Sequence, residues 1–417
     1  MEKFIIRIMK QLLTFLENSY TAYHATENAK RFLAQHGFSE LKEYEAWNLK
    51  EGGKYFVTRN GASLIAFTFA KSGNFKIIAS HNDSCCLKLK RNPEMKGTYT
   101  RLNAETYGVG LWYTFFDRPL RLAGRLVKQT DTGIQSELFV SEERYVIPSL
   151  AIHMNRDANA NFSPNPQTDL LPLYALGEES FDKNALSYDI FVVPDEKPFV
   201  SGKHGEFISS PRIDNLTSIM GSLQAIAGKT KGVCVAACFD SEEIGNGTRQ
   251  GAASDFMKRT LERIALAQGA NGEDFTRRVV SSFLISLDNA HAVHPNHPEK
   301  CDPTNEVTMG GGVVIKAHAN GAYTTDALTA GIIHALFEKS GVKCQTFFNR
   351  SDTSSGRTLG GSSFIQLGIP SVDLGLPQLA MHSATETLLS ADYEELKKAL
   401  SAFYQSDIVV KEDHAEL

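Results

Sequence analysis

The chain has 417 residues, with 43 Lys and Arg against 48 Asp and Glu, a formal charge of −5. That mild acidity argues against nucleic acid or an anionic membrane as the main partner. Hydrophobic residues at 42% and charged residues at 22% exclude disorder as the default state, and the length points to two or three domains.

Residues 1–36 read as helical. Phe4, Ile5, Ile8, Met9, Leu12, Leu13 and Leu16 keep helical spacing, and Ala25, Ala29, Phe32 and Leu33 resume it after a break near Ser19. Short β-like runs follow at 55–58, 63–69 and 75–80. From about residue 91 to residue 200 the texture changes. Most of the 14 prolines collect there, and the apolar runs at 120–127, 137–140, 145–152 and 190–193 are short and turn-bounded. These features predict an inserted, mostly β domain.

The second half alternates. A helix over 216–226 precedes a strand at 233–239, a helix around 261–268 and a strand at 282–287. A helix at 325–340, a strand at 371–374 and a last helix bearing Tyr393, Leu396, Leu400 and Phe403 complete the series. Such alternation predicts an α/β sandwich with a mixed, mainly parallel sheet. The cysteines at 85, 86, 234, 238, 301 and 344 form no CxxC pair and read as reduced thiols. Arg7 and Lys10 interrupt the N-terminal apolar run, and no stretch reaches membrane-spanning length. The expected location is cytoplasmic.

Four of the expected strands run directly into polar residues. The first leads into His81-Asn82-Asp83 and the second into Asp240-Ser241-Glu242-Glu243. The third leads into Asp288, with His291 and His294 beyond it, and the fourth passes Pro377 to reach His382. Asp214 opens the helix of residues 216–226. Taken singly, Asp214 would be a helix cap, Glu242 and Glu243 a solvated pair, and His382 a hydrogen-bonded core histidine. In open α/β sheets, however, the carboxyl ends of strands line the ligand crevice, where all of these would converge. Two histidines with several carboxylates suit zinc, cobalt or manganese in a hydrolytic site. Adjacent glutamates can divide labour, one on a metal and one facing the attacking water. A carboxylate must bridge two ions, and either Asp214 or Asp288 could do so.

With Ser80-His81-Asn82-Asp83-Ser84, Arg212-Ile213-Asp214-Asn215-Leu216, Glu242-Glu243-Ile244-Gly245, Asp288-Asn289-Ala290-His291 and Pro377-Gln378-Leu379-Ala380-Met381-His382-Ser383 in this order, the chain resembles the aspartyl-aminopeptidase family of di-zinc metallopeptidases nearly end to end. The resemblance implies a three-layer α/β/α catalytic domain at 1–90 and 201–417, with an inserted β-rich oligomerisation domain at 91–200. It implies two divalent ions per subunit, zinc first, with cobalt or manganese as alternatives. His81 and Asp288 would hold one ion, Glu243 and His382 the other, and Asp214 would bridge them. Glu242 would be the general base, and Asp83 would orient His81. His291 and His294 fall in the supporting shell.

Peptides would be the substrates, and a homo-oligomer, a dodecamer built from dimers, the assembly. His153 of one subunit would reach a neighbour's active site. Lys316 matches a family lysine, and Arg357 adds a second cation; either near the pocket would favour an acidic N-terminal residue. The alternatives are a two-metal carboxypeptidase or deacylase, and a degenerate assembly protein without catalysis. The intact ligand set beside Glu242 argues against degeneration.

Overall fold

A computed structural model describes residue 7 and residues 9–181, 185–354, 356–363 and 367–417. Its largest sheet has nine strands, in the order 39–41, 54–59, 63–68, 233–239, 75–81, 283–287, 371–375, 313–316 and 344–347. The four consecutive members 233–239, 75–81, 283–287 and 371–375 run parallel. Their sequences are mostly apolar, as strands covered on both faces require, and every residue of all four is buried, Lys76 and Asp373 included.

Helices cover both faces. Lys10–Asn18, Ala22–Gln35, Ile213–Ala227, Ala327–Ser340 and Ser390–Gln405 pack on one side, through residues such as Leu16, Leu33, Leu223, Ile333 and Leu400. Phe256–Ala267 and Gly272–Val280 pack on the other, through Phe256, Leu261, Ile264 and Val279. The break near Ser19 falls between the first two helices. Phe4, Ile5 and Ile8 lie outside the described residues.

A second, six-stranded antiparallel sheet has the order 133–140, 120–130, 187–194, 86–95, 99–107 and 173–176. It has its own core, around Leu87, Leu102, Leu122, Ile190 and Val192. The strand Cys86–Met95 crosses residue 90, so this sheet draws on the chain from just past the C-terminal end of Phe75–His81 onward. The run at 145–152 was expected to be a strand. It makes only isolated bridges from Tyr145, Val146 and Ile147, because Pro148 has no N–H to extend a ladder. The fold is mixed α/β, with a three-layer body and an inserted β sheet.

Candidate metal centre

His81 ends one parallel strand and Asp288 follows another directly, while Glu243 lies just past a third. His382 follows the short strand Pro377–Leu379 beyond the fourth, and Asp214 lies in the first turn of the helix Ile213–Ala227. His81 ends its strand with the ring 1% exposed, and its Nδ1 lies 3.0 Å from the carbonyl of Asp83. A carbonyl only accepts, so Nδ1 carries the proton and Nε2 is left free. His382 repeats the device, with Nδ1 donating to the carbonyl of Val109 at 2.8 Å.

Both free nitrogens face the same carboxylate. Nε2 of His81 is 3.4 Å from Asp214 Oδ1 and 3.5 Å from Asp288 Oδ1. Nε2 of His382 is 3.4 Å from Asp214 Oδ2 and 3.4 Å from Glu243 Oε2. Asp214 thus turns one oxygen to each histidine. Asp214 Oδ1 and Glu243 Oε1 are buried without any hydrogen-bond partner. Buried carboxylate oxygens left bare in this way are what a cation would satisfy.

Two further buried carboxylates hold the loops that carry these side chains. Asp83 accepts the amides of Glu242 and Glu243, each at 3.1 Å, and the hydroxyl of Tyr107 at 2.9 Å. Its carboxylate stands 3.4 Å from His81 Nδ1, farther than its own carbonyl, so the side chain chiefly fixes the 242–243 turn. Glu386 accepts the amides of Asp214 at 2.8 Å and of His382 at 2.7 Å.

The electrostatics follow from crowding. Burial, with nearby carboxylates adding to it, pushes Glu243 up to about 7 and Glu242 up to about 9. Burial would raise Asp214 as well, but His382 and His81 in their charged forms outweigh it and hold that carboxyl low. The cluster therefore calls for positive charge, and a dication between the carboxylates would favour their ionised forms.

The family model for aminopeptidase I zinc metalloproteases (M18) matches residues 15–185 and 180–404. The chain belongs to the M18 family of zinc aminopeptidases. A probable M18 family aminopeptidase 2 from Clostridium acetobutylicum is 39% identical over 427 residues, covering 96% of this chain and 99% of the relative. Another, from Ectopseudomonas mendocina, is 37% identical, covering 96% and 98%. The cryo-EM structure of the Ape4 and Nbr1 complex matches with a TM-score of 0.91 at 32% identity, over 97% of this chain and 86% of that one. The S. cerevisiae mApe1 dodecamer shares the fold, with a TM-score of 0.81 at 24% identity over 95% and 96%. This M18 chain is a metallo-aminopeptidase, and its nitrogen and oxygen donors suit zinc.

The groups expected to meet substrate in this M18 enzyme are more scattered. Lys316 is neither a surface charge nor open to a pocket. It is 2% exposed, and its ammonium donates to the carbonyls of Asp288 at 2.7 Å and Asn289 at 3.1 Å. Arg357 is exposed. Beside the centre, a cavity of about 340 Å³ is lined by His291, His294, Lys300, Arg350 and Gln378, while Arg357 is absent from its wall. His153 stands exposed on the long loop that precedes the strand Leu173–Leu176. Sequence reasoning missed Glu386 and assigned no role to Cys85. The thiol of Cys85 donates to Glu243 Oε2 at 3.1 Å. For Glu386 a signal existed in its position four residues after His382.

No helix among the described residues is long and apolar enough to cross a membrane.

Proposed function

We propose that this M18 aminopeptidase uses a pair of divalent ions, with Glu242 as general base, to remove N-terminal residues from peptides, acidic ones preferred. The observation that carries the reading is Asp214, whose two oxygens face the two histidine nitrogens separately. His81 and Asp288 would hold one ion and His382 and Glu243 the other, with Asp214 between them. Ions held there would supply Lewis acidity to the scissile carbonyl and to the attacking water.

The chain's own residues do the rest. The 242–243 turn, pinned by Asp83 through both backbone amides, keeps Glu243 on the centre and Glu242 within the field of His81 and Asp288. Glu242 accepts a proton from the attacking water and passes it to the departing amine. The preference for acidic side chains is supported by Lys300 and Arg350 on the wall of the adjacent cavity, which also carries Asp302. Lys316, held charged behind Asp288 by its acidic neighbours despite burial, adds a positive field without touching substrate. Homo-oligomerisation is supported by exposed Leu150, Ile152, Met154 and Phe162 on the loop that carries His153.

Hydrolysis of aminoacyl chromogenic substrates, with and without added zinc, cobalt or manganese, tests the reading. Metal-dependent release from Asp and Glu substrates, faster than from Leu, is expected. Turnover confined to N-acylated or C-terminal substrates would place the enzyme with deacylases or carboxypeptidases.

A further inference from the structure

We infer that Cys85 is a fourth protein donor on the His382 side of the centre, closing that position around a thiophilic divalent ion while the His81 side keeps a position open. The inference deepens the two-ion reading and rests on it. Cys85 Sγ lies 3.1 Å from Glu243 Oε2. That oxygen is 3.4 Å from His382 Nε2, which is itself 3.4 Å from Asp214 Oδ2. The sulfur, a Glu243 oxygen and a His382 nitrogen all lie within 4.8 Å of one another. Donors sitting 2.0–2.3 Å from a tetrahedral ion are separated by roughly 3.3–3.7 Å. The successive contacts Cys85 Sγ–Glu243 Oε2, Glu243 Oε2–His382 Nε2 and His382 Nε2–Asp214 Oδ2, at 3.1, 3.4 and 3.4 Å, lie near that spacing.

Two independent features point the same way. Glu243, with its side chain 4% exposed, keeps Oε1 without a hydrogen-bond partner although a thiol sits beside its other oxygen. The sulfur is also confined. Gly108 has φ +80°, and a Cβ there would come within 2.7 Å of Cys85 Sγ and 3.1 Å of Glu243 Cβ. Only a residue without a side chain lets the backbone press the sulfur against the ligand carboxylate.

On the His81 side, the donors are His81 Nε2, Asp214 Oδ1 and Asp288 Oδ1. Three protein donors leave a fourth position for water, whereas four close a zinc site. On ligation the S–H bond breaks, the sulfur gives an electron pair to the ion, and the proton leaves to solvent. A thiolate selects zinc, cobalt or cadmium over manganese or magnesium at that position.

Cobalt-loaded protein tests this directly. A near-ultraviolet thiolate-to-cobalt charge-transfer band is expected, lost in Cys85→Ala and kept in Cys86→Ala, whose sulfur packs with Ala123 and Val193. Cys85→Ala should also lower zinc affinity at least about tenfold, since losing even an outer-shell partner does that. Its manganese affinity should stay unchanged. X-ray absorption of the wild-type zinc protein needs no variant, and should find sulfur at about 2.3 Å. Cobalt uptake without the band, or a band surviving Cys85→Ala, overturns the ligation and leaves the two-ion reading standing. Failure to bind either metal overturns both.

Discussion

Glu242 and Glu243 are chemically identical neighbours, and only their surroundings separate them. Glu243 faces His382 at 3.4 Å, while the amides of both residues are tied to Asp83. Glu242→Gln keeps the shape and the Asp83 contacts but removes the proposed base. It should lose about 10²–10⁴ in kcat while metal analysis finds the wild-type content. Wild-type turnover with Gln at this position rules the base assignment out. Glu386 acts on the same centre through backbone. Its truncation in Glu386→Ala orphans the amides of Asp214 and His382, costing about 1–3 kcal/mol of stability. Zinc affinity, read by chelator competition, should fall about 10–100-fold; an unchanged affinity would mean those amides do not set ligand positions. Glu386 and Lys316 also mark where reading residue types runs out. A glutamate among threonines looks like a surface residue, and a lysine near a pocket looks like a specificity cation. Burial decides both, and burial depends on chain crossings far away in sequence.

Elements were more legible than single roles, because the period of apolar residues carries their type. The parallel strands read as mainly apolar runs, and the polar residues after them fall at one edge of the sheet because the strands share a direction. The helix Gly272–Val280 was overlooked although its start is written in the sequence. Asn271 accepts from the amide of Asp274, whose side chain accepts from the amide of Asn271 in return. One glycine is needed where two of these strands end. A Cβ on Gly375 would lie 2.0 Å from the Asp288 carbonyl, the same oxygen that Lys316 holds. Gly375→Ala must push strand Phe283–Leu287 or its own strand aside, which costs about 1–3 kcal/mol in a packed interior. Because Asp288 moves with its carbonyl, thermal unfolding should shift down and zinc occupancy should fall together. A loss of stability with full zinc occupancy would show that the strand end yields without disturbing the site.

At the scale of the whole molecule, His153 stands far along the chain from every residue of the candidate centre. It sits on an exposed loop among Leu150, Ile152, Met154 and Phe162. Exposed apolar side chains clustered on one long loop are costly in an isolated subunit and find their use in an interface. In an assembled particle that loop can bring His153 to a neighbouring centre. There its imidazole N–H would donate to the oxyanion that develops at the scissile carbonyl, an interaction strong where water is excluded. His153→Phe should therefore lower kcat while metal content and particle size by light scattering stay as in the wild type. Mixing separates a shared site from a local one. A Glu242→Gln chain lacks its own base but offers an intact His153, and a His153→Phe chain has the base but offers no imidazole. Co-assembled, the two should regain activity at those centres where an intact base meets a neighbour's intact histidine. Separately prepared particles, mixed without subunit exchange, should regain none. A fully active monomer, or co-assembled particles no better than the sum of their parents, would confine His153 to its own subunit and leave catalysis to the groups gathered at the strand ends.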